Sequence, residues 1–201
     1  MYARVNMIFC DKDRIDDGLA HIEDSDRGAV EATEGNKGLT TLVDRKTSVI
    51  VAISYWAESL RSSEAMLTKA RAGAAAAANG DLVTENFEVA AGRRVSIPAA
   101  GAAVRMARVQ VDHARLEDIV AFYRDDVVPR LERCSGVCSA ELLLDPDSGT
   151  GVSLTAWADP EAATGAESVL VQLREEASSQ LEAKFTRIES YTMVRTSARI
   201  T

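Results

Sequence analysis

The chain has 201 residues, 46% of them hydrophobic and 27% charged, ordinary values for a globular protein with room for two small domains or one large one. Its net charge of −8 argues against a nucleic-acid partner, which selects a basic face, and no apolar run approaches the ~20 residues of a membrane-spanning helix. Three cysteines (Cys10, Cys134, Cys138) and an N-terminus without the basic-then-apolar layout of a signal peptide fit a reduced, cytoplasmic setting.

Residues 2–9 alternate as a strand should, with Ala3, Val5, Met7 and Phe9 on one face and Arg4, Asn6 and Ile8 on the other. Asp11 or Asp13 is placed to cap a helix carrying Ile15, Leu19 and Ile22, and the polar run Glu23 to Arg27 is expected to break or kink it. Gly35 and Gly38 open a hairpin whose turn falls at Asp44 to Ser48 and whose second strand ends at Trp56. A helix is expected over Ser59 to Ala78, stopped by Asn79-Gly80, and then a strand over Leu82 to Val89. The order is β-α-β-β-α-β, the ferredoxin-like arrangement.

It then recurs. Gly136, Asp145 and Trp157 repeat Gly35, Asp44 and Trp56 without a gap at one offset of 101 (136 − 35). Ala107 to Val111 matches Ala3 to Met7, and Tyr191 matches Phe87, at an offset of 104 (107 − 3). Between the strands lie an apolar stripe from Leu116 to Leu131 interrupted by Pro129, a turn at Asp145 to Gly151, and a strong helix start at Asp159-Pro160-Glu161. Residues 1–91 are read as one ferredoxin-like half, 92–103 as a linker and 104–201 as the second half. A repeat of this length has the size of one small domain.

A glycine before one strand and a Trp at the end of the next, within such a unit, resembles the antibiotic biosynthesis monooxygenase family of dimeric α+β barrels. The closest motif is Trp157-Ala158-Asp159-Pro160-Glu161-Ala162, and Trp56-Ala57-Glu58-Ser59 with Glu64-Ala65 is looser. The resemblance implies an α+β fold in which two ferredoxin-like halves pack sheet to sheet as a pseudo-dimeric α+β barrel within one chain. It also implies a cofactor-independent monooxygenase acting on a small aromatic or polyketide-like molecule. The alternative is a non-catalytic small-molecule-binding or structural protein of the same fold.

Carried over by position, the site residues are Asn6 and Trp56, with Tyr55 beside them, and in the second half Gln110 and Trp157. An amide donor such as Asn6 stabilises an oxyanion; the plainer reading makes Asn6 a backbone partner and Trp56 a core residue. His113 could serve as a base but also reads as a solvated helix start, and His21 reads as surface. Arg4 and Arg108 appear as equivalent positions seeking acidic partners among Glu85, Glu88 and Glu141. No histidine falls on either second helix, where heme-degrading relatives place a ligand, and Cys134 with Cys138 lacks a zinc set. The expected partner is a small hydrophobic or aromatic molecule, with no cofactor, metal, nucleic acid or membrane. A homodimer is allowed but not required, and the ligand pocket is expected in the first half.

Overall fold

The computed structural model describes residues 1–58 and 64–199, with side chains from residue 67 onward in the helix that begins at Glu64. Two compact units divide it. The first is Met1–Asn86 with Val194–Arg199, and the second is Phe87–Met193.

The first unit contains β1 (Tyr2–Phe9), α1 (Ile15–Ala20), a π-helical segment (His21–Asp26), α2 (Arg27–Glu31), β2 (Asn36–Asp44), β3 (Val49–Trp56) and α3 (Glu64–Ala77). It adds the first residues of β4 (Asp81–Arg94) and the last of β8 (Lys184–Thr196). Its strands run antiparallel in the order β4-β1-β3-β2-β8. The chain end continues this sheet: Ser197 N donates to Leu39 O at 3.1 Å and Arg199 N to Lys37 O at 2.7 Å.

The second unit repeats the plan with β5 (Ala103–Gln110), α4 (Leu116–Phe122), a π segment (Tyr123–Val127), α5 (Val128–Leu131), β6 (Val137–Leu144), β7 (Thr150–Trp157), α6 (Pro160–Gly165) and α7 (Glu167–Leu181). The remainders of β4 and β8 complete it, in the order β8-β5-β7-β6-β4. Each unit therefore has the expected ferredoxin-like order. Strand β4 runs on to Arg94, so the start of the expected linker is strand. The helix start expected at Ser59 lies outside the described residues.

Local chemistry explains the breaks. Where Glu23 to Arg27 suggested a kink, the helix widens to a π turn over His21–Asp26. The second unit does the same just before Pro129, whose missing N–H would otherwise leave a gap in the hydrogen-bond ladder. Gly35 and Gly136 sit at φ +79 and +78, a conformation costly for other residues, and each carbonyl accepts from the residue after the Trp. Asp159 Oδ1 accepts from Ala162 N at 2.8 Å, as its cap role requires, whereas Asp11 makes no side-chain cap bond.

Pairing register corrects one expectation. Arg4 pairs with Ser54 on β3, and Arg105 pairs with Thr155 on β7. The first strands therefore correspond at 101 (105 − 4), not at 104, and the counterpart of Arg4 is Arg105, not Arg108. By the same register Asn6 corresponds to Ala107. Residue type misled here, because the Arg-Val of Arg4-Val5 recurs at Arg108-Val109; hydrogen-bond register follows the hairpins instead. On the last strands the wider offset is consistent with side-chain pairing: Arg4 donates to Asn86 and Arg105 to Ser190.

Candidate functional site

Each unit leaves a cavity of about 50 Å³ between its sheet and its helices. Equivalent residues build the two, and their chemistry differs.

In the first unit, strands β1 and β3 supply Arg4, Asn6, Ala52 and Ser54 to the cavity wall. Alternation along a strand places Asn6 and Arg4 on one face, and their partners Ala52 and Ser54 share it. Asn6 is 7% exposed and Ser54 4%. Asn6 Oδ1 accepts from Thr84 Oγ1 at 3.0 Å, and among the described residues its Nδ2 donates only to Ala52 O, at a long 3.4 Å. Ser54 Oγ accepts from the Trp56 indole Nε1 at 3.0 Å, and among the described residues nothing accepts its own hydroxyl hydrogen. Both side chains thus line one cavity from neighbouring strands.

The helical wall opposes them with Ile22, Asp26 and Arg71. Burial raises the Asp26 carboxyl above its ordinary pKa, and the charge of His21 works the other way. His21 Nε2 lies 3.4 Å from Asp26 Oδ2. The five-residue separation suits a π turn, whose wider pitch brings such positions onto one side. Gly73 on α3 makes room for the ring: a Cβ there would meet His21 Nε2 at 2.5 Å. His21 was expected at the surface and is instead half-buried beside the cavity.

The other residues singled out in the sequence are placed as follows. Trp56 is buried with Val30 and Leu67 and reaches the cavity through Ser54. Tyr55 is fully buried but lies on the opposite face of β3 from Ser54, so the structure does not bring it together with Asn6. Gln110 ends β5 and donates to Val111 O and Ser148 O, and His113 lies exposed in a 3-10 turn. Trp157 repeats the Trp56 arrangement, its Nε1 donating to Thr155 Oγ1 at 3.0 Å. Sequence reasoning missed Ser54, Asp26 and Thr155. Their signal was the repeat itself, since Ser54 and Thr155 each stand two residues before a repeated Trp.

The second cavity is apolar. Val109, Ile119, Leu142, Leu173 and Phe185 are among the apolar residues of its wall. Ala107 stands where the first unit has Asn6, and Val127 where it has Asp26. Tyr123 donates to Glu141 O at 2.9 Å and receives from Ser153 Oγ at 3.3 Å. Burial pushes its hydroxyl far above the ordinary tyrosine range. Arg105 and Arg174 also stand on this wall, both tied to Glu167.

Sequence comparison finds relatives for this chain. It is 35% identical over 155 residues to the uncharacterized protein Rv2557 of Mycobacterium tuberculosis, covering 76% of this chain and 69% of that one. The chain belongs to this protein's family. The uncharacterized protein Rv2558 of the same organism is 33% identical over 147 residues, 72% of this chain and 62% of its own. No family model matches.

Among solved structures, a Fusobacterium nucleatum protein provisionally assigned as a monooxygenase has a TM-score of 0.72 at 12% identity, covering 98% of this chain and 94% of its own. An uncharacterized ferredoxin-fold protein of Listeria monocytogenes, related to antibiotic biosynthesis monooxygenases, has 0.57 at 11%, covering 96% and 95%. The heme-degrading enzyme LmHde of Listeria monocytogenes has 0.55 at 10%, covering 96% and 99%. These likenesses show the fold alone: this chain has the ferredoxin-like units found in antibiotic-biosynthesis-monooxygenase-like proteins.

Proposed function

We propose that this protein oxidises a small aromatic molecule with O2, without a cofactor, in the cavity of its first unit. The observation that carries this reading is the convergence of Asn6, Ser54 and Asp26 on one space. The monooxygenase-like fold supports the reaction class.

The chemistry asked of these residues is limited. A CH2 conjugated through an aromatic ring with a carbonyl, as in anthrone, loses a proton to the Asp26 carboxylate, which His21 backs. The resulting enolate oxygen accepts from Asn6 Nδ2 and Ser54 Oγ, donors that need no reorganisation once buried. The electron-rich carbon then reduces O2. One oxygen atom becomes a new carbonyl and the other leaves as water with the two hydrogens of the former CH2, so atoms and electrons balance. Trp56 acts through Ser54, by holding its hydroxyl turned toward the cavity.

Size sets a condition. About 50 Å³ is less than the ~150 Å³ of an apolar cavity that admits benzene. A ring therefore enters only as the helical wall gives way. Among the described residues no histidine lines either cavity.

The test is O2 uptake with anthrone and substituted hydroquinones, with mass analysis of products formed under isotopically labelled O2. One labelled atom per product is expected for anthrone. Asp26→Asn and Asn6→Ala should each lower kcat by about a hundredfold, the range of a lost base or oxyanion donor. Turnover of nothing in the panel, or turnover indifferent to both changes, sinks the reading.

A further inference from the structure

The geometry points to the second unit's cavity as a separate binding site for a neutral apolar molecule that carries one hydrogen-bond-accepting oxygen, such as an aryl ketone, held by the hydroxyl of Thr155. This goes beyond the oxidation assigned to the first unit and does not depend on it. The same size condition holds here: at about 50 Å³ the cavity admits a ring only as its helical wall gives way.

The donor follows from accounting for every hydroxyl on the wall. Ser153 gives its hydrogen to Tyr123, and Tyr123 gives its own to Glu141 O. That chain is complete. Thr155 is different. Its Oγ1 is already an acceptor, for the indole of the wholly buried Trp157. Among the described residues no group accepts the Thr155 hydrogen, and the side chain is 3% exposed on the cavity wall. A buried donor without an acceptor costs free energy, which a ligand oxygen recovers. The bond accepted from Trp157 turns the remaining hydrogen away from the indole and strengthens it as a donor.

The rest of the wall sets the class of ligand. No carboxylate or imidazole lines this cavity among the described residues, and the Tyr123 hydroxyl stays neutral. A cationic ligand would find no counter-charge on this wall, and its two charged side chains, Arg105 and Arg174, are both paired with Glu167. With no base to remove a proton, the site binds its occupant and leaves it unchanged.

The probes are acetophenone and ethylbenzene, alike in shape and different in the carbonyl, titrated into the full chain by calorimetry and followed by nitrogen-edited NMR. Acetophenone should bind about tenfold more tightly and shift the Trp157 indole signal. Thr155→Val should abolish that preference, and Thr155→Ser should keep it. Because Thr155→Val strips Trp157 of its partner and could disturb folding, a second variant fills the space instead. Ala177→Val, which adds about the volume of the cavity, should remove binding of both probes while leaving the hydroxyl in place. Equal binding of the two probes, binding of neither, or a preference that survives Thr155→Val or moves with Ser54→Ala overturns the assignment.

Discussion

His21 Nε2 stands 3.4 Å from Asp26 Oδ2 across a π turn, and Gly73 on the neighbouring helix supplies the space the ring occupies. The pair depends on both features. A regular α-helix would carry residues five apart to different sides, and a side chain at residue 73 would fill the room.

Gly73→Ala separates these effects. Alanine gains about 1 kcal/mol of helix propensity over glycine. The added Cβ would sit 2.5 Å from His21 Nε2, so the ring must swing off Asp26. Thermal stability should change little while turnover drops several-fold. A variant that keeps full activity, or loses its fold, contradicts this account.

Arg27 is a buried cation of the first unit. It is 2% exposed, and all five of its N–H groups are used: two on Glu23, one each on Glu31 and Thr41 and one on Leu39 O. Arg27→Met should destabilise by about 3–5 kcal/mol, because two carboxylates lose their cation. Denaturant melts of the wild type and the variant measure it. A loss below ~1 kcal/mol would show that solvent reaches these carboxylates.

Glu31 sets a pH dependence. Burial alone would raise its pKa, but the Ser197 hydroxyl and Arg27 outweigh that and hold it below the ordinary value of 4.5. The folded state therefore favours the ionised form. The stability it contributes is fully present above pH 4.5 and is lost as pH falls through the lower folded-state value. Glu31→Gln should flatten the acid limb of a stability–pH curve relative to the wild type. An unchanged limb would place the acid sensitivity elsewhere.

The two aspartates read as caps should separate in stability. Asp159→Ala removes the bond to Ala162 N and should cost about 1 kcal/mol. Asp11→Ala removes no cap bond and should cost only a few tenths. Chemical denaturation of both variants decides it, and equal losses would show that capping geometry is not the cause.

The sequence by itself determined the element order of each unit. Hairpin turns, helix stops and the repeated Gly, Asp and Trp are local signals, written in residues close together along the chain. Register across strands is not local. The recurrence of Arg-Val at residues 108–109 pointed to one alignment, while backbone pairing follows the hairpins and gives another, which set Arg105 and not Arg108 opposite Thr155. The site was half legible for the same reason. Asn6 stood out as an amide among apolar neighbours. Asp26 looked like one more charge in a polar run until the π turn brought it to a cavity. Thr155 and Ser54 carried only the signal of standing two residues before a repeated Trp, because a hydroxyl's role is set when folding gives its lone pair to an indole and places it on a cavity wall.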